Sequence, residues 1–317
     1  MAAKGPLRYD LPSRSSHARE ALKFDTAMEF VYGIPDPMGP GVVRLVAPNS
    51  GPLTFKGTNT YLVGHSSLAV IDPGPDDAAH RSAILAAAAG RPISHIVATH
   101  AHRDHVDGIA ALQAETGART YAFRRNALAP GKAGDADAKY VGHSFVADVH
   151  VADTDAIEGE DWRLVALHTP GHAPDHLCLA LDRSGIVFSG DHVMAWNTSV
   201  IAPPEGRMAD YMSSLERLLD RNDARFLPGH GGTIAEPRRT VKAYLLHRKW
   251  REQAILEAVR NGTDTARKLL PVIYRELDRS VAGAAMLSLS AHLEHLAERG
   301  LIACDDPSNA DCVAVPL

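Results

Sequence analysis

The chain has 317 residues, of which 45% are hydrophobic and 22% charged, and its formal net charge is −5. That length holds one large domain plus a small one, and the slight acidity argues against a chain-wide electrostatic grip on nucleic acid or an anionic membrane. Three cysteines, Cys178, Cys304 and Cys312, form no CxxC pair and leave an odd thiol, which argues against a disulfide framework and fits a reducing compartment; a Cys304–Cys312 bridge stays open.

Residues 1–27 are polar and mixed in charge and read as a loosely attached arm. The first 30 residues hold no apolar segment of signal-peptide type and carry Asp10 and Glu20, so no leader is expected. No run reaches the length of a membrane span, and the chain is expected to be cytoplasmic. From Val42 onward, β-branched or apolar runs at 42–46, 58–63 and 68–72 are separated by Gly and Pro and predict strands. A helix follows at 77–89, a strand at 95–99 and a helix near 106–116. Further strands are predicted at 163–167, 177–181, 186–189 and 225–227, with a helix at 211–219. Residues 192–209 show no sustained period, contain Pro203-Pro204, and have the length of a lid loop. Strand clusters alternating with single helices predict an α/β architecture, with function at strand-to-helix loops.

After residue 240 the text turns helical. A long helix at 241–260 is stopped by Asn261-Gly262, and a second runs over 263–273. Met286, Leu289, Leu293 and Leu296 fall at helical spacing in a third, which Gly300 ends. Residues 301–304 and 312–315 then read as a two-stranded ribbon, giving a winged-helix layout. The expected division is an arm at 1–27, a catalytic domain at 28–240 and a winged helix at 241–317.

The string Thr99-His100-Ala101-His102-Arg103-Asp104-His105 carries four metal-ligand side chains directly after an apolar strand. They converge only if the chain turns at the strand end, and a metal ion is the usual reason to crowd such groups together. His172 in Thr-Pro-Gly-His, Asp191 in Ser-Gly-Asp and His230 in Pro-Gly-His-Gly-Gly each follow another predicted strand and each adjoin glycine.

With these segments in place, residues 40–235 resemble the metallo-β-lactamase superfamily. The resemblance implies a four-layer αβ/βα sandwich with a dinuclear site at one edge. His100, His102 and His172 would hold one metal; Asp104, His105 and His230 would hold the other; Asp191 would bridge them. Two zinc ions per chain suit this nitrogen and oxygen set, which also admits iron or manganese. Asp72 matches the superfamily's ligand-orienting aspartate, and Asp175 and His176, beside His172, could orient ligands or supply a proton. The implied mechanism is hydrolysis by a hydroxide bridging two metals, with Asp104 able to accept the nucleophile's proton.

Asp191 argues against true β-lactamase activity. The segments Gly57-Thr58-Asn59-Thr60-Tyr61-Leu62-Val63-Gly64, Pro170–His176, His247-Arg248 and Arg251-Glu252-Gln253 look like the β-lactamase-like-2 group, which joins this metal domain to a C-terminal winged helix. The leading expectation is a glyoxalase II-like hydrolase of an ester or thioester of a small acid. The alternatives are a metal-dependent single-strand endoribonuclease and a mononuclear-iron enzyme resembling persulfide dioxygenases. From Thr240 to Leu317 ten Lys/Arg face ten Asp/Glu, and the presumed recognition helix at 284–299 has Arg299 alone as a base. Such a helix is a poor reader of phosphate backbones, so nucleic acid is disfavoured and a packing or homodimerisation role is preferred. His247, Arg248 and Arg251 could bind a substrate carboxylate or phosphate, and Met194, Trp196 and Tyr211 could shape an acyl pocket for a small-molecule substrate. His95, His168 and His192 flank ligand segments and are expected to point away.

Overall fold

The computed structural model describes residues 24–124, 145–275 and 278–317. Residues 1–23 of the expected arm lie outside that range; Asp25, at its end, donates its backbone N–H to the Ala195 carbonyl at 2.9 Å. Two sheets form the frame. One runs in chain order through β1 (Asp36–Gly39), β2 (Val42–Val46), β3 (Asn59–Val63), β4 (Leu68–Ile71), β5 (Ile93–Val97), β6 (Arg119–Phe123) and β7 (Val149–Val151). Its first four strands pair antiparallel, and β4 to β7 pair parallel. The other sheet contains β8 (Ala156–Glu158), β9 (Arg163–His168), β10 (Leu177–Leu181), β11 (Ile186–Gly190) and β12 (Arg225–Pro228), in the order β12-β11-β10-β9-β8. Only β11 and β12 are parallel there.

Because side chains alternate across a strand, each sheet feeds two cores. Tyr61, Val63, Ile71 and Val97 of the first sheet meet Leu164, Ala166, Leu179 and Phe188 of the second in the central layer. Leu62, Val70 and Ile96 point the other way, onto α1 (Ala78–Ala88) and α3 (Ile109–Thr116). On the far side Cys178, Ala180 and Val187 pack against α4 (Met208–Leu219) and α5 (Pro237–Arg260). The result is the expected four-layer sandwich, and burial on both faces explains why β3 and β4 read as continuous apolar runs. The Asp77 side chain caps α1 by accepting from His80 N at 2.7 Å, a contact worth about 1 kcal/mol.

A smaller core unites α5, α6 (Ala266–Ile273), α7 (Ala282–Glu298) and the ribbon of β13 (Ile302–Ala303) and β14 (Val315–Pro316). Helix α5 belongs to both units: Val241, Tyr244 and Leu245 enter the core beneath the second sheet, whereas Ile255, Leu256 and Val259 enter the C-terminal core. The expected boundary at 240/241 therefore falls within the first turns of a shared helix. Arg207 ties the two units together through Glu298 and Glu294 of α7. The Cys304 and Cys312 sulfurs lie 3.3 Å apart as thiols. Among the described residues no helix is long and apolar enough to cross a membrane.

The segment 192–209, expected as a loop of lid length, is instead a largely buried strap over 192–207 followed by the first residues of α4. Val193, Ser199 and Ile201 are at most 1% exposed. The Tyr244 hydroxyl accepts from Met194 N at 3.1 Å and lies 2.6 Å from its carbonyl, and Arg248 Nη2 donates to the Ser199 carbonyl at 2.5 Å.

Candidate metal centre

Parallel pairing sets the site. β4 and β5 run side by side and lead within two residues into Asp72 and Thr99, and β11 and β12 run side by side and lead within two residues into Asp191 and His230. Both ends meet at one edge of the sandwich, where a short helix α2 (Arg103–Val106) turns His105 back toward the strands. The histidine and aspartate donors fall into three overlapping triads: His100, His102 and His172; His100, His105 and Asp191; and Asp104, His105 and His230, with donor atoms within 4.8 Å of one another in each. All seven sequence-derived ligand positions thus share one edge.

The rings are prepared to donate lone pairs inward. Thr99 Oγ1 gives its hydrogen to Asp72 Oδ2 at 2.7 Å and so accepts from His100 Nδ1 at 3.0 Å. His172 Nδ1 donates to the Val200 carbonyl at 2.6 Å, His230 Nδ1 to the Gly57 carbonyl at 3.2 Å, and His105 Nδ1 to Asp72 Oδ2 at 2.8 Å. In the neutral ring each inner Nε2 is then an acceptor. His100 Nε2 and His172 Nε2 both face His102 Nδ1, at 2.9 and 3.0 Å, and one ring hydrogen cannot serve two lone pairs. His105 Nε2 and Asp191 Oδ1 are buried without a hydrogen-bond partner, 3.5 Å apart. His230 Nε2 lies 3.2 Å from Asp104 Oδ2 and 3.3 Å from Asp191 Oδ2. Acceptors crowded on acceptors are repulsive unless a cation lies among them, so the donor set fits metal ions.

Electrostatics agree. Burial and the neighbouring His172 push His102 down to about 3, and burial also holds His100 well below its usual range, which leaves both rings neutral as ligands must be. Burial opposes protonation of His230, but Asp191 and Asp104 outweigh it and lift the ring to about 10. Loss of solvation opposes ionisation of Asp104, but His105 and His230 outweigh it and hold the carboxyl well below its ordinary range. The Asp104–His105–His230 side therefore attracts positive charge.

Supporting residues sit directly behind the ligands. Asp72 takes three hydrogen bonds, from Thr99 N, Thr99 Oγ1 and His105 Nδ1. Asp175 Oδ2 accepts from Ala101 N at 3.1 Å, between two ligands, and His176 Nε2 accepts from Asp191 N at 3.1 Å. Glycines let backbone approach: a Cβ at Gly171, whose φ is +134°, would stand 2.3 Å from Tyr211 Cα. Further residues escaped the sequence reading. Thr58 Oγ1, itself held by Asn49, reaches Asp104 Oδ2 at 3.4 Å, and Asn59 Nδ2 binds the Pro228 and Gly231 carbonyls on either side of His230. The string 57–64 carried them as family text, but which ligand each one serves depends on contacts across more than 45 residues.

Of the residues expected at the substrate, Trp196, His247 and Arg248 line one cavity beside the strap, and Met194 joins them. Tyr211 does not. It is fully buried beneath the strap, its hydroxyl donating to the His192 carbonyl at 2.8 Å, because α4 begins at Met208 and turns the ring inward. His95 stacks on Tyr121 and His168 on Phe123, His192 packs at a tilt against Tyr211, and none joins a donor triad.

Comparison with known proteins follows the same lines. Residues 53–230 match the metallo-beta-lactamase superfamily, and residues 265–307 match the beta-lactamase associated winged helix domain. A beta-lactamase-like protein 2 homolog of Drosophila melanogaster is 32% identical over 82% of this chain and 88% of its own. An atrochrysone carboxyl ACP thioesterase of Claviceps purpurea is 28% identical over 78% of this chain and 76% of its own. The crystal structure of a metallo-beta-lactamase family protein from Thermus thermophilus superposes with a TM-score of 0.71 at 25% identity, covering 89% of this chain and all of the other. Family match, fold and donor cluster lead to one assignment: the chain belongs to the metallo-beta-lactamase superfamily and is a metal-dependent hydrolase with a C-terminal winged helix of the beta-lactamase associated type.

Proposed function

We propose that the chain is a dinuclear hydrolase of an ester or thioester of a small acid, with His100, His102 and His172 holding one ion and Asp104, His105 and His230 the other. The observation that carries this reading is that both sets face one carboxylate: Asp191 lies 3.7 Å from His172 Nε2, 3.5 Å from His105 Nε2 and 3.3 Å from His230 Nε2. Zinc suits the donors, and iron or manganese would also bind them. Ions held by these residues would supply Lewis acidity toward a carbonyl and lower the pKa of water. The chain's own groups do the rest. Asp104, 29% exposed and ionised, is the carboxylate placed to take a proton on the open side. Asp72, Val200 and Gly57 fix the ring tautomers, so no ligand needs to reorganise. No cysteine competes as nucleophile: burial pushes the Cys178 thiol up to about 12.

The thioesterase name of the Claviceps relative supports the thioester arm. Docking of α7 against the catalytic core, with Glu294 and Glu298 engaged by Arg207, supports a small molecule over nucleic acid. A cytoplasmic setting belongs to the same proposal, on the odd cysteine count. The test offers metal-loaded protein acyl-CoA and acyl-glutathione panels beside single-stranded RNA. Thioester turnover that falls by at least about 100-fold in Asp104→Ala is expected; RNA cleavage lost in the same variant, with no thioester turnover, overturns the reading. Metal analysis should return two ions per chain, and fewer than about 1.5 contradicts the dinuclear assignment.

A further inference from the structure

Between the strap and the winged helix lies a cavity of about 230 Å³, walled by Trp196 and Ser199 on one side and by His247, Arg248, Arg251 and Tyr274 on the other. Its charged side chains, Arg248 and Arg251, are both cationic. Arg248 is 2% exposed, and among the described residues neither it nor Arg251 pairs with a carboxylate. The nearest acid in sequence, Glu252, is taken by His295 and Arg299. Arg251 Nη1 donates to the Ile273 carbonyl, and its Nη2 lies 3.3 Å from His247 Nε2. A guanidinium only donates, so His247 Nε2 accepts and Nδ1 carries the ring hydrogen. That Nδ1, Arg248 Nε and Trp196 Nε1 are all buried without a hydrogen-bond partner. Three buried N–H donors without a partner stand in this wall, and its two cations meet only backbone carbonyls and the His247, Tyr211 and Tyr274 rings, an arrangement that favours something negative beside them. The remaining wall mixes apolar side chains such as Leu53, Val281 and Ala285 with the neutral Asn197, Thr198 and Ser288.

We propose that this cavity is an oxyanion subsite that seats a carboxylate or phosphate carried by the substrate, so that the enzyme prefers acyl or leaving groups bearing a second anionic end. The proposal rests on the hydrolase reading above and names its substrate class. The subsite also adjoins the ligands through two neighbouring carbonyls. Arg248 holds Ser199 O, and the next carbonyl, Val200 O, orients the His172 ring. An anion on Arg248 and a reacting group at the metal edge would thus be registered by the same strap.

Metal ions attract anions too, so isothermal titration with inorganic phosphate and with glutarate is run on the full-length protein both as isolated and after chelation. Saturable binding of at least one probe that survives chelation is expected, weakened about tenfold or more in Arg251→Ala and in Arg248→Ala. The stronger of the two probes identifies the carboxylate or the phosphate as the natural group. Arg260→Ala, at the end of the same helix, should leave binding unchanged. If Arg248→Ala does not fold, Arg251→Ala and His247→Ala decide. With substrates, glutaryl thioesters should be preferred over butyryl thioesters through KM, and Arg251→Ala should erase that preference with kcat retained. Binding lost entirely on chelation, or unmoved by these substitutions, overturns the subsite. Binding that behaves as expected without any thioester turnover would instead sink the hydrolase reading and leave the subsite standing.

Discussion

Gly229 shows how closely the backbone is drawn to the ligands, since a Cβ there would stand 2.5 Å from Asp191 Oδ1 and 2.8 Å from His105 Cε1. Gly229→Ala should push the Asp191 carboxylate away from both donor sets, so on the proposed dinuclear reading the variant is expected to retain at most one ion per chain and to lose at least about 100-fold in hydrolysis. Inductively coupled plasma mass spectrometry beside a thermal melt checks this; full metal content with full activity would refute it. The clustering of the candidate donors was legible because His and Asp crowded at strand ends have few other reasons to be there. Their partners were legible only where the partner is a charged side chain, as with Asp72. The Val200 and Gly57 carbonyls that fix two ring tautomers belong to residues whose side chains say nothing about the role, and only the folded path of the chain places them.

Among the elements, β4 was readable because burial on both faces makes a strand a plain apolar run, and β3 and β5 because each ends in one, Tyr-Leu-Val and Ile-Val. β1, β7 and β8 were not: they have three or four residues, carry Pro, His or Glu, and sit at or near sheet edges. β6, Arg-Thr-Tyr-Ala-Phe, alternates exposure against the helix layer and was masked by its polar start. The strap was misread as a lid because length and missing periodicity cannot show that Tyr244, some 50 residues onward, pins it. Tyr244→Phe removes a fully buried hydroxyl that serves Met194, and each group left unpaired costs about 1–3 kcal/mol. The variant should melt lower and show faster amide exchange over residues 193–200, read by hydrogen–deuterium exchange mass spectrometry. Unchanged exchange there would mean that the strap is held by packing alone.

At the scale of the whole molecule, the four cores and the shared helix α5 make acid sensitivity a global property. Burial pushes His80 down to about 4, His247 to about 3 and His292 to about 4, each ring neutral and lying outside the donor triads. They stand in three places: His80 on α1 behind the first sheet, His247 on α5 and His292 on α7. The sign follows from proton counting. Between the ordinary histidine value of 6.5 and about 4, the unfolded chain binds a proton at His80 that the folded chain refuses, so stability falls as pH falls through that window and is unaffected above it. His80 alone should cost about 2 kcal/mol between pH 7.5 and 5, and His247 and His292 act in the same direction. Against a net domain stability of about 5–15 kcal/mol, such losses should unfold the protein well above the carboxylate range. Urea denaturation of chelated protein at pH 7.5 and 5.0, with His80→Gln beside the native chain, isolates the effect from metal release. The substitution should start less stable at pH 7.5, because His80 Nε2 loses its 2.8 Å contact with Thr60 Oγ1, yet show a pH dependence flatter by about 2 kcal/mol. An equal slope in the two proteins would mean that the buried ring takes up its proton within the folded structure.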